Sequence, residues 1–206
     1  LRAMPLEIPS GCRATVFREP RLESGFPDWV IVVWRLATAE AWSPQRKAVE
    51  PRDLRLMHYL HQVRWATTTD LEERFTRRAV RGLERLEHAH MIRRAGESWT
   101  PRPLSASFAA TKIIAIEAKV DRWSDAIAQA VLNTWFASKS YVLVPNAPSH
   151  ELLHAAQRFG IGVCSLDKES VREVATPNGN LPRSYASWLL NEWAWQAWRG
   201  AKDSPE

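Results

Sequence analysis

Cysteine is scarce in this chain. There are two among 206 residues, Cys12 and Cys164, far apart in sequence. They supply no disulfide framework, and the sequence shows no secretory leader, so the expected setting is a reducing cytoplasm. No apolar run approaches the roughly 20 residues that a membrane-spanning helix needs, which argues against a membrane partner. No internal repeat is visible, which excludes a solenoid reading. What the chain has in excess is positive charge and tryptophan. Lys and Arg outnumber Asp and Glu by 28 to 23, giving a formal charge of +5, and this favours an anionic partner. Four of the eleven tryptophans (Trp188, Trp193, Trp195, Trp198) crowd the C-terminal segment.

Apolar patterning organises the chain. Residues 12–18 read as a strand, 25–28 as a turn and Trp29–Trp34 as a strand covered on both faces. Residues 42–52 read as a linker. From 53 to 100 the character turns helical. Leu54, Met57, Leu60 and His61 form one stripe, and Thr69-Asp-Leu-Glu72 is a capping-box pattern opening a second helix. A third helix spans Thr76 to about His90, with Ala79, Leu83 and Leu86 inward, and 91–100 read as two strands about a Gly96 turn. Strand 111–119, helix 122–137, strand 141–145, helix 149–159 and strand 161–166 follow, and 171–174 pairs with the last. This alternation predicts a parallel segment with right-handed crossovers. Helix 122–137 is expected to bury Trp123, Ala126, Ile127, Ala130, Val131 and Thr134. In helix 185–199, Trp188, Asn191 and Trp195 share a face, and Trp193 lies elsewhere, available to a partner.

The strand 111–119 ends in Glu117-Ala118-Lys119. Residues two apart in a strand point the same way, so Glu117 and Lys119 emerge side by side. Alone, such a pair reads as a surface ion pair. Asp28, which follows Pro27 and opens the strand 29–34, supplies a second carboxylate if the two strands are neighbours. Two carboxylates with backbone oxygens and water suit Mg²⁺, which lowers the pKa of a bound water and offsets charge on a phosphate.

These residues resemble the PD-(D/E)XK nuclease superfamily: Pro27-Asp28 before an apolar strand, then Glu117-x-Lys119 ending the next. Gln129 on the following helix resembles the glutamine that many members keep there. The resemblance covers about 25–36 and 111–145, with a sheet extension to 174. It implies an α/β, restriction-endonuclease-like mixed sheet flanked by helices. It also implies Mg²⁺ as cofactor (Mn²⁺ substituting), Asp28 and Glu117 as metal ligands, Lys119 as the catalytic lysine and Gln129 assisting. Members carry an acidic residue on a helix before the first strand, for which Glu7, Glu19 and Glu23 are the candidates here.

The interval between Asp28 and Glu117 holds the helical unit. Its three helices and hairpin resemble a winged helix-turn-helix over 53–100. Arg77, Arg81, Arg85 and His88 recur at helical spacing with Arg78 beside them, and Arg93, Arg94 and Arg102 add charge on the wing. Such a face suits phosphates and guanine edges. The expected organisation is a discontinuous core over 8–50 and 104–200, an inserted winged helix over 51–103 and a polar tail over 201–206. The expected activity is Mg²⁺-dependent cleavage of double-stranded DNA, with the insert delivering a phosphate to Asp28, Glu117 and Lys119. Cutting both strands needs two sites, which suits a homodimer. A DNA-binding regulator or structural subunit on a decayed nuclease fold is the alternative. His150-Glu151-x-x-His154 also matches the zinc-hydrolase pattern, with Glu169 or Glu173 as third-ligand candidates. Gly160 ends its helix early, and the competing reading is an exposed, capped helix.

Overall fold

A computed structural model describes residues 7–23, 25–120, 122–167 and 170–203, without the side chains of Arg78, Ala79, Lys202 and Asp203. In chain order the elements begin with β1 (Cys12–Arg18), β2 (Trp29–Arg35), α1 (Leu36–Glu40), a 3₁₀ turn (Pro44–Ala48), α2 (Pro51–Val63) and β3 (Ala66–Thr67). Next come α3 (Thr68–Arg74), α4 (Arg77–Val80), α5 (Gly82–His88), β4 (Ile92–Ala95), β5 (Ser98–Pro101) and α6 (Leu104–Ser107). The chain continues with β6 (Ala110–Ala118), α7 (Trp123–Asn133), β7 (Lys139–Pro145), α8 (His150–Phe159), β8 (Gly162–Asp167), β9 (Ser170–Ala175) and α9 (Tyr185–Asp203). They divide into two compact units, a sheet unit (Leu1–Trp34 with Ala110–Pro182) and a helical unit (Arg35–Ala109 with Arg183–Glu206).

The sheet unit is an α/β layer of six strands in the order β1-β2-β6-β7-β8-β9. β6, β7 and β8 run parallel, joined through α7 and α8, while β2 pairs antiparallel with β6 and β9 with β8. Continuous apolar runs serve strands covered on both faces, and Val30 to Val33 are accordingly fully buried. On one face Ala126, Ile127 and Ala130 of α7 and Leu152 and Ala156 of α8 pack on Val142, Val144 and Val163. The other face gathers Ile31, Ile114, Ile116, Tyr141 and Cys164. The Ser149 hydroxyl caps α8 by accepting the Leu152 N–H at 3.2 Å, and Gly160 at φ +67° ends it in the left-handed turn that glycine favours.

The helical unit is larger than residues 51–103. It also takes in residues 35–50 and 104–109 and the whole of α9. The segment 42–52 is therefore not a free linker. Its 3₁₀ turn buries Arg46, whose guanidinium donates to both Glu192 carboxylate oxygens on α9 (2.8 and 2.5 Å) and to the Ser107 carbonyl (2.6 Å). The same group lies 3.4 Å from the centre of the Trp42 ring. Trp188, Asn191 and Trp195 are buried on one α9 face, as their spacing predicts.

Three strands in the order β3-β5-β4 accompany α2, α3 and α5. The capping box sits two residues earlier than the Thr69–Glu72 reading. Thr67 is extended and accepts the Asp70 N–H at 3.1 Å, and Asp70 accepts the Thr67 N–H at 2.8 Å. The third helix breaks at Arg81 into α4 and α5. Gly82 is needed just after the break, because a Cβ there would fall 2.1 Å from the Asp53 carboxylate. His61 stacks on Trp188 with ring centres 5.0 Å apart, and burial, followed by the charges of Arg64, Arg183 and His58, lowers its pKa to about 4.

Candidate active site

Antiparallel register brings the two acidic residues together. Trp29 pairs with Ile116, so continuing the ladder by one residue sets Asp28 against Glu117. The Ala118 N–H donates to Asp28 Oδ2 at 2.7 Å, which fixes the acid before β2 onto the end of β6. Strand alternation turns Glu117 toward the face that α7 covers, the face of its neighbour Val142. There it is 2% exposed, and its Oε1 accepts the Asn133 side-chain amide at 2.7 Å. Lys119 directly follows β6 and is half-buried, its N–H donating to the Leu143 carbonyl at 3.1 Å. Asp28 Oδ1 and Glu117 Oε2 have no hydrogen-bond partner among the described residues.

Burial pushes the Glu117 carboxyl up to a pKa of about 7. The Asn133 hydrogen bond opposes that shift, the negative charge of Asp28 adds to it and the ammonium of Lys119 opposes it. A carboxylate held unfavourably beside another is stabilised by a cation between them, and two carboxylates with one free oxygen each fit Mg²⁺, which otherwise keeps its waters. Asp28 thus lies against the strand end that carries Glu117 and Lys119.

Gln129 makes no hydrogen bond to Asp28, Glu117 or Lys119 among the described residues. Its side chain is exposed on α7, and the amide beside Glu117 belongs to Asn133, one helical turn further on. Sequence patterning missed Asn133 because Thr134 was placed on the inner stripe. Thr134 is exposed, and its hydroxyl donates to the Val131 carbonyl at 2.7 Å. Trp123 of that expected stripe is likewise exposed, while Val131 is half-buried and packs against the core. Asn133 lies three residues after Ala130 and seven after Ala126, so a polar residue on the buried stripe was the available signal.

No helix precedes β1 among the described residues. Glu7 and Glu19 are exposed, and Glu19 lies 3.7 Å from Arg18. Among the described residues no group of three His, Cys, Asp or Glu side chains is arranged to hold a metal ion. The zinc-type motif lies along the solvent side of α8, with His150, Glu151 and His154 exposed. The Glu151 carboxylate accepts from its own N–H and from Ser149, which lowers its pKa. Glu173 accepts the Tyr141 hydroxyl at 3.3 Å, and Glu169 lies outside the described residues.

The arginines of the helical unit separate into two kinds. Arg77, Arg81, Arg93 and Arg94 are exposed, with Arg93 bonded to Thr100 (3.0 Å) and Arg94 to the Gly96 carbonyl (3.0 Å). Arg85 is engaged internally. Its Nε and Nη2 donate to the fully buried Asp53 carboxylate at 2.8 and 2.7 Å, so it is not a free groove-facing cation. The Arg78 side chain lies outside the described residues.

Comparison with protein-family models, curated proteins and solved structures returns no match.

Proposed function

We propose that this chain is a metal-dependent nuclease of the PD-(D/E)XK type that hydrolyses phosphodiester bonds in DNA. The observation that carries the reading is the Asp28 carboxylate bonded to the Ala118 N–H, between Glu117 and Lys119. That contact joins two parts of the pattern that lie 90 positions apart in sequence, Asp28 and the strand end that carries Glu117 and Lys119. Asp28 Oδ1 and Glu117 Oε2 would hold Mg²⁺ or Mn²⁺. Such an ion, when bound, supplies a more acidic water and offsets charge on the phosphate. Asn133 keeps the Glu117 carboxylate aimed at the site. The Lys119 ammonium orients the attacking water and balances negative charge growing on the phosphorus oxygens.

The helical unit is proposed to be a winged helix that binds duplex DNA. The order α2, β3, α3, α4/α5, β4, β5 and the three-stranded sheet support this. The binding residues would be Arg77, Arg81, Arg93 and Arg94, and cleavage of both strands would use a homodimer.

Lys119→Ala tests the catalytic assignment. With Mg²⁺ and plasmid DNA, cleavage is expected to fall at least ~100-fold, the scale of losing one electrostatic stabiliser of a transition state. Binding measured in EDTA is expected to stay unchanged. Wild-type cleavage rates in the variant would refute the assignment. Arg81→Ala tests the duplex contact. It should weaken binding across all sequences and reduce the slope of log K against log salt by about one. An unchanged slope would mean that this face meets something other than phosphate.

A further inference from the structure

We propose that the sheet unit seats an unpaired nucleotide in the cleft beside Lys119, so that its substrate is DNA in which a duplex borders a single strand. This deepens, and rests on, the nuclease reading of Asp28, Glu117 and Lys119.

The cleft measures about 180 Å³ and opens where β6 and β7 end. In open α/β sheets, ligands bind outside the carboxyl ends of the strands. Lys119, Val120, Arg122 and Trp123 wall one side, and Pro145 and Pro148 belong to the other. Lys119 links the two: it lines the cleft, and its charge acts on the Glu117 carboxyl.

Size narrows the occupant. Pockets for drug-sized ligands run to about 300–1,000 Å³, so this one suits a single ring system and excludes a base pair. Its lining narrows it further. Trp123 is 36% exposed and offers part of its indole at the surface, while Val144 and Leu152 continue the apolar wall. The charged groups of the described wall are Lys119 and Arg122, both cationic, and Arg122 has Asp125 at 3.5 Å. An apolar slot with an aromatic edge and two cations suits a base together with its flanking phosphates. Inside a duplex both faces of a base are covered by its neighbours. A nucleotide enters such a slot when it is already single-stranded or is pulled from the stack.

The test uses two duplexes of equal paired length, one blunt and one ending in an unpaired 2-aminopurine tail, each tail polarity in turn. In EDTA the wild-type protein should bind one tailed duplex roughly ten-fold more tightly than the blunt one, the scale of one base–aromatic stack. The probe's fluorescence should be quenched. Trp123→Ala should lose both the preference and the quench, and Trp123→Phe should keep most of each. Equal binding of tailed and blunt duplexes by wild type, or a preference unaltered in Trp123→Ala, overturns the proposal. Repeating the comparison with Mg²⁺ separates it from the nuclease reading. Equal cleavage of both duplexes, unchanged in Trp123→Ala, removes the cleft and leaves the nuclease. A Trp123-dependent preference with no cleavage under Mg²⁺ or Mn²⁺ removes the nuclease and leaves the cleft.

Discussion

Glu117→Gln is expected to abolish cleavage and at the same time to stabilise the sheet unit above pH 7. The amide keeps the size of the side chain and an oxygen for the Asn133 hydrogen bond (2.7 Å in the wild type). It removes the charge that a metal ion needs. Activity should fall by more than the roughly 10–100-fold typical of changes to outer-shell partners. The gain in stability follows from proton linkage. Burial raises the Glu117 pKa from 4.5 to about 7, so the folded chain holds a proton that the unfolded chain releases between those values. Wild-type stability is therefore favoured below about pH 4.5, declines as the pH rises to about 7 and stays reduced above it. The shift corresponds to at most about 3.5 kcal/mol, at ~1.4 kcal/mol for each pH unit. For a chain of this size that is a rise in Tm of up to roughly 7–14 °C for the variant at pH 8, measured in EDTA. The difference should vanish near pH 4. A variant no more stable than wild type at pH 8 would show that Glu117 ionises without strain. Its carboxylate would then not be held for a cation.

The second large effect lies in the helical unit. Arg46→Met should destabilise it by about 3–5 kcal/mol, because the Glu192 carboxylate would stay buried with its main cationic partner gone. Both side chains of this pair are nearly inaccessible, at 1% and 3% exposure. Asn191 still donates to Glu192 at 3.0 Å, but a neutral amide does not offset the charge. Arg46→Met combined with Glu192→Leu should recover most of the loss, since apolar replacements of similar volume remove the stranded charge. Chemical denaturation of the two variants reads the difference directly. A single variant as stable as wild type would mean that water reaches Glu192.

These two sites show where sequence information stopped. The strands were legible because a run such as Trp29–Trp34 has one stable use, as a strand covered on both faces. The α8 boundaries were legible because Ser149 and Gly160 act on their own helix ends. The Glu117-x-Lys119 pair was legible through strand alternation. Other local signals competed. Thr67 and Thr69 both precede acidic residues at capping distance, and only the extended backbone at Thr67 selects the true cap. Asn133 and Thr134 both end the α7 stripe, and the closing turn of the helix decides which of them faces the sheet.

By itself, then, the sequence determined the strand–helix alternation, both ends of α8, the Gly96 hairpin and a carboxylate–lysine pair at a strand end. Each depends on backbone geometry within a few residues. Tertiary structure alone decided that Asp28 meets Ala118 across 90 positions of chain and that Arg46 meets Glu192 across 146. It also decided that Arg85 turns inward to Asp53 and that α9 belongs with the helices. Register and burial set those meetings, because a charge finds its partner from the strand or helix packed beside it, and local periodicity does not specify that neighbour.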